Sequence, residues 1–331
     1  MQNPYLKQYP DLMQGKKILY IHGFGSSAQS GTVKLIQTVL PSADVMAYDL
    51  PLHPEEALAL LRRVCSERQP DLILGTSMGG MYAEMMYGYD RICVNPAFEM
   101  GETMHSHDMM GRQTYQNPRQ DGVQEFFVDK PLVKEYKAIT EQCFGGVTAE
   151  EQTRCYGLFG DEDDVVNTFD LFRAHYTQAI RFHGGHRLDD RSFMHGVLPV
   201  VRWIDDRQQR RERPIVYIDF STLHDGYMKP RSSMAKAYAM LCERYQVYVV
   251  APAPANEPAQ MAAVQAWVEQ YLSTPAYDRV IYTNRKALLY GDYLVDTAPD
   301  DDAMATTIAF GSDEFKTWEE VITYFKRLGG Q

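Results

Sequence analysis

Several features are scarce in this chain of 331 residues, and each scarcity excludes a class of protein. The five cysteines are odd in number and show no Cys-x-x-Cys or Cys/His spacing, so we expect reduced cysteines in a cytoplasmic protein, without disulfides or a zinc site. No run approaches the ~20 apolar residues of a spanning helix. The polar residues 1–14 lack the basic and apolar regions of a secretion signal.

Positive charge is also in short supply. The chain has 44 acidic and 33 basic side chains, which gives a formal net charge of -11. An acidic surface repels both phosphate backbones and anionic lipids. The sequence therefore predicts neither a nucleic-acid partner nor a membrane partner.

What is present has the composition of a globular protein, with 45% hydrophobic and 23% charged residues. At roughly 100–200 residues per domain, the length favours two domains. Short apolar runs alternate with helically spaced apolar residues in both halves, which predicts two α/β domains with mainly parallel sheets. The charged residues 206–213 separate these halves, so we predict a first domain over 1–205, a linker, and a second domain over 214–331.

Within the first half, this alternation fails over residues 101–151. Methionine, histidine, glutamine, asparagine and proline dominate there. Such a segment is typical of an insertion or lid over a site and not of a layer of the sheet.

The most informative segment is a Gly-x-Ser-x-Gly sequence that begins at Gly75. An apolar run at residues 72–74 leads into it, and a helix rich in methionine and alanine follows, which is the context of a nucleophile elbow. A serine on such a sharp turn presents its hydroxyl at the sheet edge, where side chains at Gly75 and Gly79 would collide with neighbouring backbone. We therefore predict Ser77 as a nucleophile.

A turn after the first apolar run could supply an oxyanion hole. His22 and Gly23 end that run, and the backbone N–H of Phe24 could act together with that of Met78 on a developing oxyanion. The alternatives are a flexible loop or a phosphate cradle. Nucleotide binding is disfavoured because the turn lacks the third glycine of Gly-x-Gly-x-x-Gly and the lysine of a P-loop.

An acid and a base are expected to follow the serine along the chain. Four acids occupy residues 161–164 after one predicted strand, and His186 follows the next strand, preceded by two glycines. Residues 160–166 read Gly-x-x-Asp-x-x-Val, a spacing common in the acid turn of hydrolases, which favours Asp163. Asp161 and Asp164 remain open alternatives.

Several of these motifs together resemble the YqiA/YcfP-like esterase branch of the α/β-hydrolase superfamily, over about the first two hundred residues. The resemblance rests on residues 19–27, 75–80, 95–97 and 184–186. It implies a small cytoplasmic serine esterase that acts on a small-molecule carboxylic ester or thioester without a cofactor. It also carries the roles of nucleophile, acid and base onto Ser77, Asp163 and His186.

The second half resembles the haloacid-dehalogenase-like fold, with the small 5′(3′)-deoxyribonucleotidases as the nearest group. The resemblance rests on residues 217–223, 247–252, 266–272, 283–286 and 292–296. It implies that Asp219 matches a phosphoryl-attacking aspartate and Lys286 a phosphoryl-holding lysine. It also implies that Asp292 and Asp296 form a magnesium region.

Other positions of that pattern are altered. Ser221 stands where a proton-transferring aspartate belongs, Ala251 replaces a hydroxyl residue, and Thr297 replaces a late acid. A serine cannot replace a carboxyl group in proton transfer. We therefore expect a degenerate accessory domain with at most weak Mg²⁺ binding, and the alternative is a magnesium-dependent phosphatase acting through Asp219.

Overall fold

The chain divides into two compact units, Met1–Asp205 and Asp206–Gln331. The computed structural model describes residues 3–298 and 302–329. Both units are α/β with parallel main sheets, which confirms the predicted fold class. The helix Leu198–Gln209 extends past the first unit, so residues 206–209 of the expected linker are helical. Among the described residues, no helix has the length and apolar composition needed to cross a membrane.

The first unit contains a parallel sheet and a separate hairpin. Its strands are β1 (Lys17–Ile21), β2 (Asp44–Ala47), β3 (Leu72–Thr76), β4 (Arg91–Val94), β5 (Gly111–Thr114), β6 (Glu125–Val128), β7 (Cys155–Gly160) and β8 (Ala179–Phe182). The parallel sheet has the order β2-β1-β3-β4-β7-β8, and β5 pairs with β6 in the antiparallel hairpin. Because the six strands are parallel, the loops that leave β1, β3, β4, β7 and β8 meet along one edge.

The helices of this unit cover the sheet. They are α1 (Tyr5–Gln8), α2 (Gly31–Val39), α3 (Pro54–Arg68), α4 (Met78–Glu84), α5 (Met100–Ser106), α6 (Lys130–Thr140), α7 (Ala149–Gln152), α8 (Phe169–Arg173), α9 (Asp190–Ser192) and α10 (Leu198–Gln209). A π-helical turn, Phe193–Val197, joins α9 to α10. Helix α3 begins with Pro54, whose missing N–H costs nothing at this position, and two glutamates follow in the first turn, where the helix dipole favours acids.

The segment predicted as an irregular insertion, residues 101–151, contains regular structure. It holds most of α5, the β5–β6 hairpin, α6 and α7. Leu132, Tyr136 and Ile139 repeat at helical spacing along α6 and are buried in the core of the first unit. The apolar stripe of α6 therefore packs as an integral part of the unit.

The second unit is a five-stranded parallel sheet with its own core. Its strands are β9 (Ile215–Asp219), β10 (Gln246–Ala251), β11 (Val280–Tyr282), β12 (Tyr293–Asp296) and β13 (Thr306–Ala309), and its helices are α11 (Met234–Cys242), α12 (Pro258–Tyr271) and α13 (Trp318–Leu328). The strand order is β11-β10-β9-β12-β13. A capping box between Thr317 and Glu320 starts α13, which buries Trp318 against the sheet.

Candidate active site

Ser77 lies on a strained turn between β3 and α4. Its φ of 56° and ψ of -122° lie in a region that side chains rarely adopt. A Cβ on Gly75 would overlap the carbonyl of Gly79, and a Cβ on Gly79 would overlap the carbonyl of Ile21. These are the collisions that the sequence predicts, and they explain why both flanking positions are glycine.

A continuous chain of hydrogen bonds links the serine to a histidine and an acid. Ser77 Oγ lies 3.1 Å from His186 Nε2, and Asp163 Oδ2 lies 2.9 Å from His186 Nδ1. Asp163 Oδ1 accepts hydrogen bonds from the backbone N–H groups of Val165 and Val166, at 2.8 and 2.9 Å. The structure therefore brings together the three side chains to which the sequence analysis gave these roles.

The neighbouring acids have other surroundings. Asp161 Oδ2 contacts His183 Nδ1 at 2.6 Å, and Asp164 is exposed to solvent. Burial alone would raise the pKa of Asp163, but the hydrogen bond from His186 and two backbone N–H groups hold it below its ordinary value. Asp163 is therefore kept ionised beside the imidazole.

The two backbone N–H groups of the expected oxyanion hole belong to Phe24 and Met78. Met78 is the first residue of α4, so its N–H has no carbonyl one turn earlier in the helix to bond to. Within the described part of the chain, neither N–H donates a hydrogen bond. The ring of Phe24 packs edge-on against Phe126 and Tyr136, with centroids 5.3 and 5.7 Å away, and this packing fixes its turn.

His22 supports the same turn, a role that the sequence analysis did not assign. Its side chain is buried, its Nδ1 lies 2.8 Å from the Gly23 carbonyl, and its Nε2 accepts a hydrogen bond from the Leu50 N–H at 3.2 Å. Accepting at Nε2 and donating at Nδ1 requires a neutral imidazole. Burial also lowers the pKa of His22. His22 is therefore a neutral, buried side chain that supports the turn at Phe24 through its hydrogen bonds.

Asn95 is a second residue whose role was missed, although its segment carried the esterase resemblance. It follows β4, is buried, and has a φ of 45°. Its Nδ2 donates to the carbonyls of Gly185 and His186, at 2.9 and 3.1 Å, and its Oδ1 accepts from the Gly160 N–H at 2.7 Å. The sequence signal for this role was an asparagine directly after β4, the strand that lies between β3 and β7.

A cavity of about 830 Å³ opens beside Ser77 and His186. This volume lies within the ordinary range of small-molecule sites. Hydroxyl, amide and charged groups line it together with apolar side chains, among them Tyr20, Phe24, Ser26, Thr32, Leu35, Thr76, Met100, Met109, Gln116, Asn117, Asp164, Val165, Arg187, Leu188 and Asp190.

The second unit has its own charged cluster at the carboxyl ends of β9 and β12. Lys286 Nζ lies 2.5 Å from Asp219 Oδ2 and 2.5 Å from Asp296 Oδ2. Asp219 Oδ1 accepts a hydrogen bond from Ser221 Oγ at 2.5 Å, and that hydroxyl lies 3.0 Å from Thr297 Oγ1. Burial alone would lower the pKa of Lys286, but its hydrogen bonds to the two aspartates raise it.

The expectation that Asp292 joins this cluster is wrong. Asp292 precedes β12 and its Oδ2 accepts from the Ile215 N–H at 2.7 Å, which places it at the amino ends of the strands, opposite Asp219 and Asp296. Within residues 3–298 and 302–329, no group of three histidine, cysteine or acidic residues is arranged to hold a metal. Lys286 pairs with one oxygen of each of the two remaining aspartates, Asp219 and Asp296.

Residues 17–197 match a family model described as "Uncharacterised protein family (UPF0227)". A UPF0227 protein of Vibrio parahaemolyticus is 27% identical over 172 residues, covering 48% of this chain and 84% of that protein. A protein of Vibrio phage KVP40 named "Putative 5'(3')-deoxyribonucleotidase" is 30% identical over 149 residues, covering 36% of this chain and 88% of that protein. Both resemblances drawn from the sequence are thereby confirmed.

Among solved structures, the esterase Est1E of Butyrivibrio proteoclasticus with bound ferulic acid is 15% identical, with a TM-score of 0.40. The match covers 62% of this chain and 92% of that chain. The fold of the first unit is assigned from its own parallel strand order and its strand-turn-helix at Ser77, which are those of an α/β-hydrolase.

Proposed function

Because the chain belongs to the uncharacterised protein family UPF0227, whose matched region contains the site around Ser77, we propose that its first unit is a serine hydrolase that cleaves a carboxylic ester or thioester. One observation carries the proposal. His186 lies 3.1 Å from Ser77 Oγ and 2.9 Å from Asp163. Ser77 itself lies on a strained turn beside a cavity. A serine hydroxyl is activated when a base accepts its proton and an acid orients that base, and these hydrogen bonds provide that arrangement.

In the first half of the proposed reaction, Ser77 Oγ attacks the acyl carbon and its proton passes to His186 Nε2. Asp163 orients the imidazole and stabilises its protonated form. The N–H groups of Phe24 and Met78 donate to the oxygen that becomes negative. When the tetrahedral species collapses, the bond to the alcohol or thiol breaks, and the leaving group takes the proton from His186.

In the second half, water attacks the acylated Ser77 while His186 accepts a proton from that water. The second tetrahedral species collapses to a carboxylic acid, and Ser77 recovers its proton from the imidazole. Every step uses side chains and backbone groups of this chain, so the proposal names no cofactor. A small-molecule ester is the proposed substrate, since the cavity of about 830 Å³ suits a ligand of that size.

The test is substitution of the nucleophile. A fluorophosphonate probe should label the parent protein at Ser77, and short-chain p-nitrophenyl esters should be hydrolysed. Ser77→Ala should abolish labelling and lower turnover by several orders of magnitude. Ser66→Ala, on the exposed side of α3, is the matched control and should keep both activities. Ester hydrolysis that survives Ser77→Ala unchanged would contradict the proposal.

For the second unit we propose an accessory, non-catalytic role. The hydroxyl of Ser221 bonds to Asp219 at the position where the related pattern has a proton-transferring acid, and a hydroxyl with a pKa far above neutrality cannot take that duty. The alternative, a phosphatase acting through Asp219, is supported by the similarity to the phage protein named as a nucleotidase.

A further inference from the structure

We propose that Asn95 is a positioning residue that holds the loop of the base and the loop of the acid in register, so that His186 stays between Ser77 and Asp163. This inference rests on the proposed hydrolase function for its kinetic consequence. Its structural consequence, the position of His186 relative to Asp163, is independent of that function and is measurable without a substrate.

The side chain of Asn95 connects two loops that are otherwise distant in the chain. Its Nδ2 donates to consecutive carbonyls, those of Gly185 and His186, in the loop that follows β8. Its Oδ1 accepts from the Gly160 N–H, where the loop carrying Asp163 begins. These partners fix the orientation of the amide. Its NH₂ group must face the two carbonyls, and its oxygen must face the Gly160 N–H.

The backbone around Asn95 adds the third loop, that of the nucleophile. The Ser77 N–H donates to the carbonyl of Val94, and the Ala97 N–H donates to the carbonyl of Ser77. Asn95 lies between these two bonds in a left-handed conformation, with a φ of 45°. A non-glycine residue held in this conformation is maintained by its surroundings, and such residues concentrate at functional sites.

The loop of the base needs such a constraint. Two glycines, Gly184 and Gly185, precede His186, and neither has a side chain that could anchor the loop by packing. Other bonds between the two loops run from the Glu162 N–H to the Gly184 carbonyl and between Asp161 and both His183 and the Gly184 N–H. These bonds hold the part of the loop that precedes the base, whereas Asn95 Nδ2 donates to the carbonyl of His186 itself. A misplacement of a catalytic group by about 1 Å can cost on the order of 10²-fold in rate. The amide of Asn95 is therefore placed where a small loss of order would act directly on His186.

Asn95→Asp is the sharpest test, because it keeps the size and the acceptor for Gly160 but loses both donors and puts a carboxylate oxygen against two carbonyls. We expect kcat for p-nitrophenyl esters to fall by about 10²-fold while KM changes by less than about threefold. Thr168→Val is the matched control. It removes a buried hydrogen bond of 2.6 Å to Pro96, in the same segment, without touching the loop of the base. Its kcat should stay within about threefold of the parent even where its thermal midpoint falls.

A spectroscopic measurement makes the test independent of turnover. The proton between His186 Nδ1 and Asp163 should give a resolved downfield ¹H resonance in the parent, identified by its absence from His186→Gln. It should be lost or shifted in Asn95→Asp and unchanged in Thr168→Val. If Asn95→Asp does not fold, Asn95→Gly, which relieves the positive φ while removing the same donors, takes its place.

Two results would overturn the inference. One is an Asn95 variant that keeps both kcat and the downfield resonance, and the other is an equal loss of kcat in Thr168→Val. A parent protein that shows the resonance but hydrolyses no ester would instead contradict the proposed function. The resonance in the Asn95 variants would then decide the positioning role by itself.

Discussion

Asp163 and His186 are joined through one oxygen of a carboxylate whose other oxygen is fully engaged by the backbone. Asp163 Oδ2 lies 2.9 Å from His186 Nδ1, while Oδ1 accepts from two consecutive backbone N–H groups of the same turn. The side chain of Asp163 is only 3% exposed. Oδ2 is therefore the oxygen of Asp163 that is available to His186, and it faces the imidazole.

The first prediction follows from this arrangement. In Asp163→Asn the amide oxygen would stay with the two backbone N–H groups, and the NH₂ donor would face His186 Nδ1 in place of an acceptor. This favours the wrong tautomer of His186 and removes the negative charge that stabilises its protonated form. We expect kcat for p-nitrophenyl esters to fall by about 10⁴-fold with the fold intact. Stopped assays of esterase activity and fluorophosphonate labelling rates measure the loss.

The matched controls for this prediction are the neighbouring acids. Asp164→Asn changes an exposed side chain, and Asp161→Asn keeps one oxygen as an acceptor for the Gly184 N–H while it weakens the contact with His183. Both variants should keep kcat within about threefold of the parent. A large loss in either one, together with an active Asp163→Asn, would transfer the orienting role to another acid.

The sequence pointed to the serine, histidine and acid that the structure brings together, because their signals are local. A strand that runs into Gly-x-Ser-x-Gly predicts Ser77, and the spacing from Gly160 favours Asp163 over Asp161 and Asp164. Parallel strands then bring their carboxyl ends to one edge whatever the details of packing. The fold class followed from the same alternation of short apolar runs and helical stripes.

Other features depend on contacts that no local pattern encodes. Asn95 gains its role only when the loops after β7 and β8 lie on either side of it. Asp292 looked equivalent to Asp296 because both flank one short strand. They lie at opposite ends of that strand, and Asp292 faces the start of β9. The apolar stripe of α6 was hidden in a segment whose overall composition is polar.

A second prediction concerns the glycines of the elbow. Gly79→Ala would put a Cβ onto the carbonyl of Ile21, in backbone that cannot move away without shifting the sheet. We expect a loss of about 3 kcal/mol or more in the free energy of unfolding. Gly31→Ala, at the start of α2, meets nothing within 4 Å and should change it by less than about 1 kcal/mol. Urea unfolding compares the two, and equal stabilities would contradict the close approach.

A third prediction concerns pH and the buried His22. Burial lowers its pKa in the folded state, so the unfolded state binds more protons below the ordinary value of about 6.5. Stability from the neutral side chain is therefore present above that value and is lost as the pH falls. His22→Gln should flatten the decline in stability between pH 7 and 5, by at most about 1.4 kcal/mol per pH unit. Parallel slopes for parent and variant in urea unfolding would show that His22 is not buried as a neutral group.

The last prediction is that the second unit hydrolyses no phosphate ester even when Mg²⁺ is supplied. Attack by Asp219 on phosphorus would require a proton for the departing alcohol and a base for the water that releases the phosphate, and Ser221 provides neither. Loss of such help typically costs about 10²–10⁴-fold in rate. Lys286 also pairs with both Asp219 and Asp296, so a cation would have to compete with its ammonium group for these carboxylates. Turnover of p-nitrophenyl phosphate with Mg²⁺ should therefore be equal in Ser77→Ala and in Ser77→Ala/Asp219→Asn, where the first substitution removes any contribution of the esterase site. Turnover that depends on Asp219 would instead identify a working phosphatase.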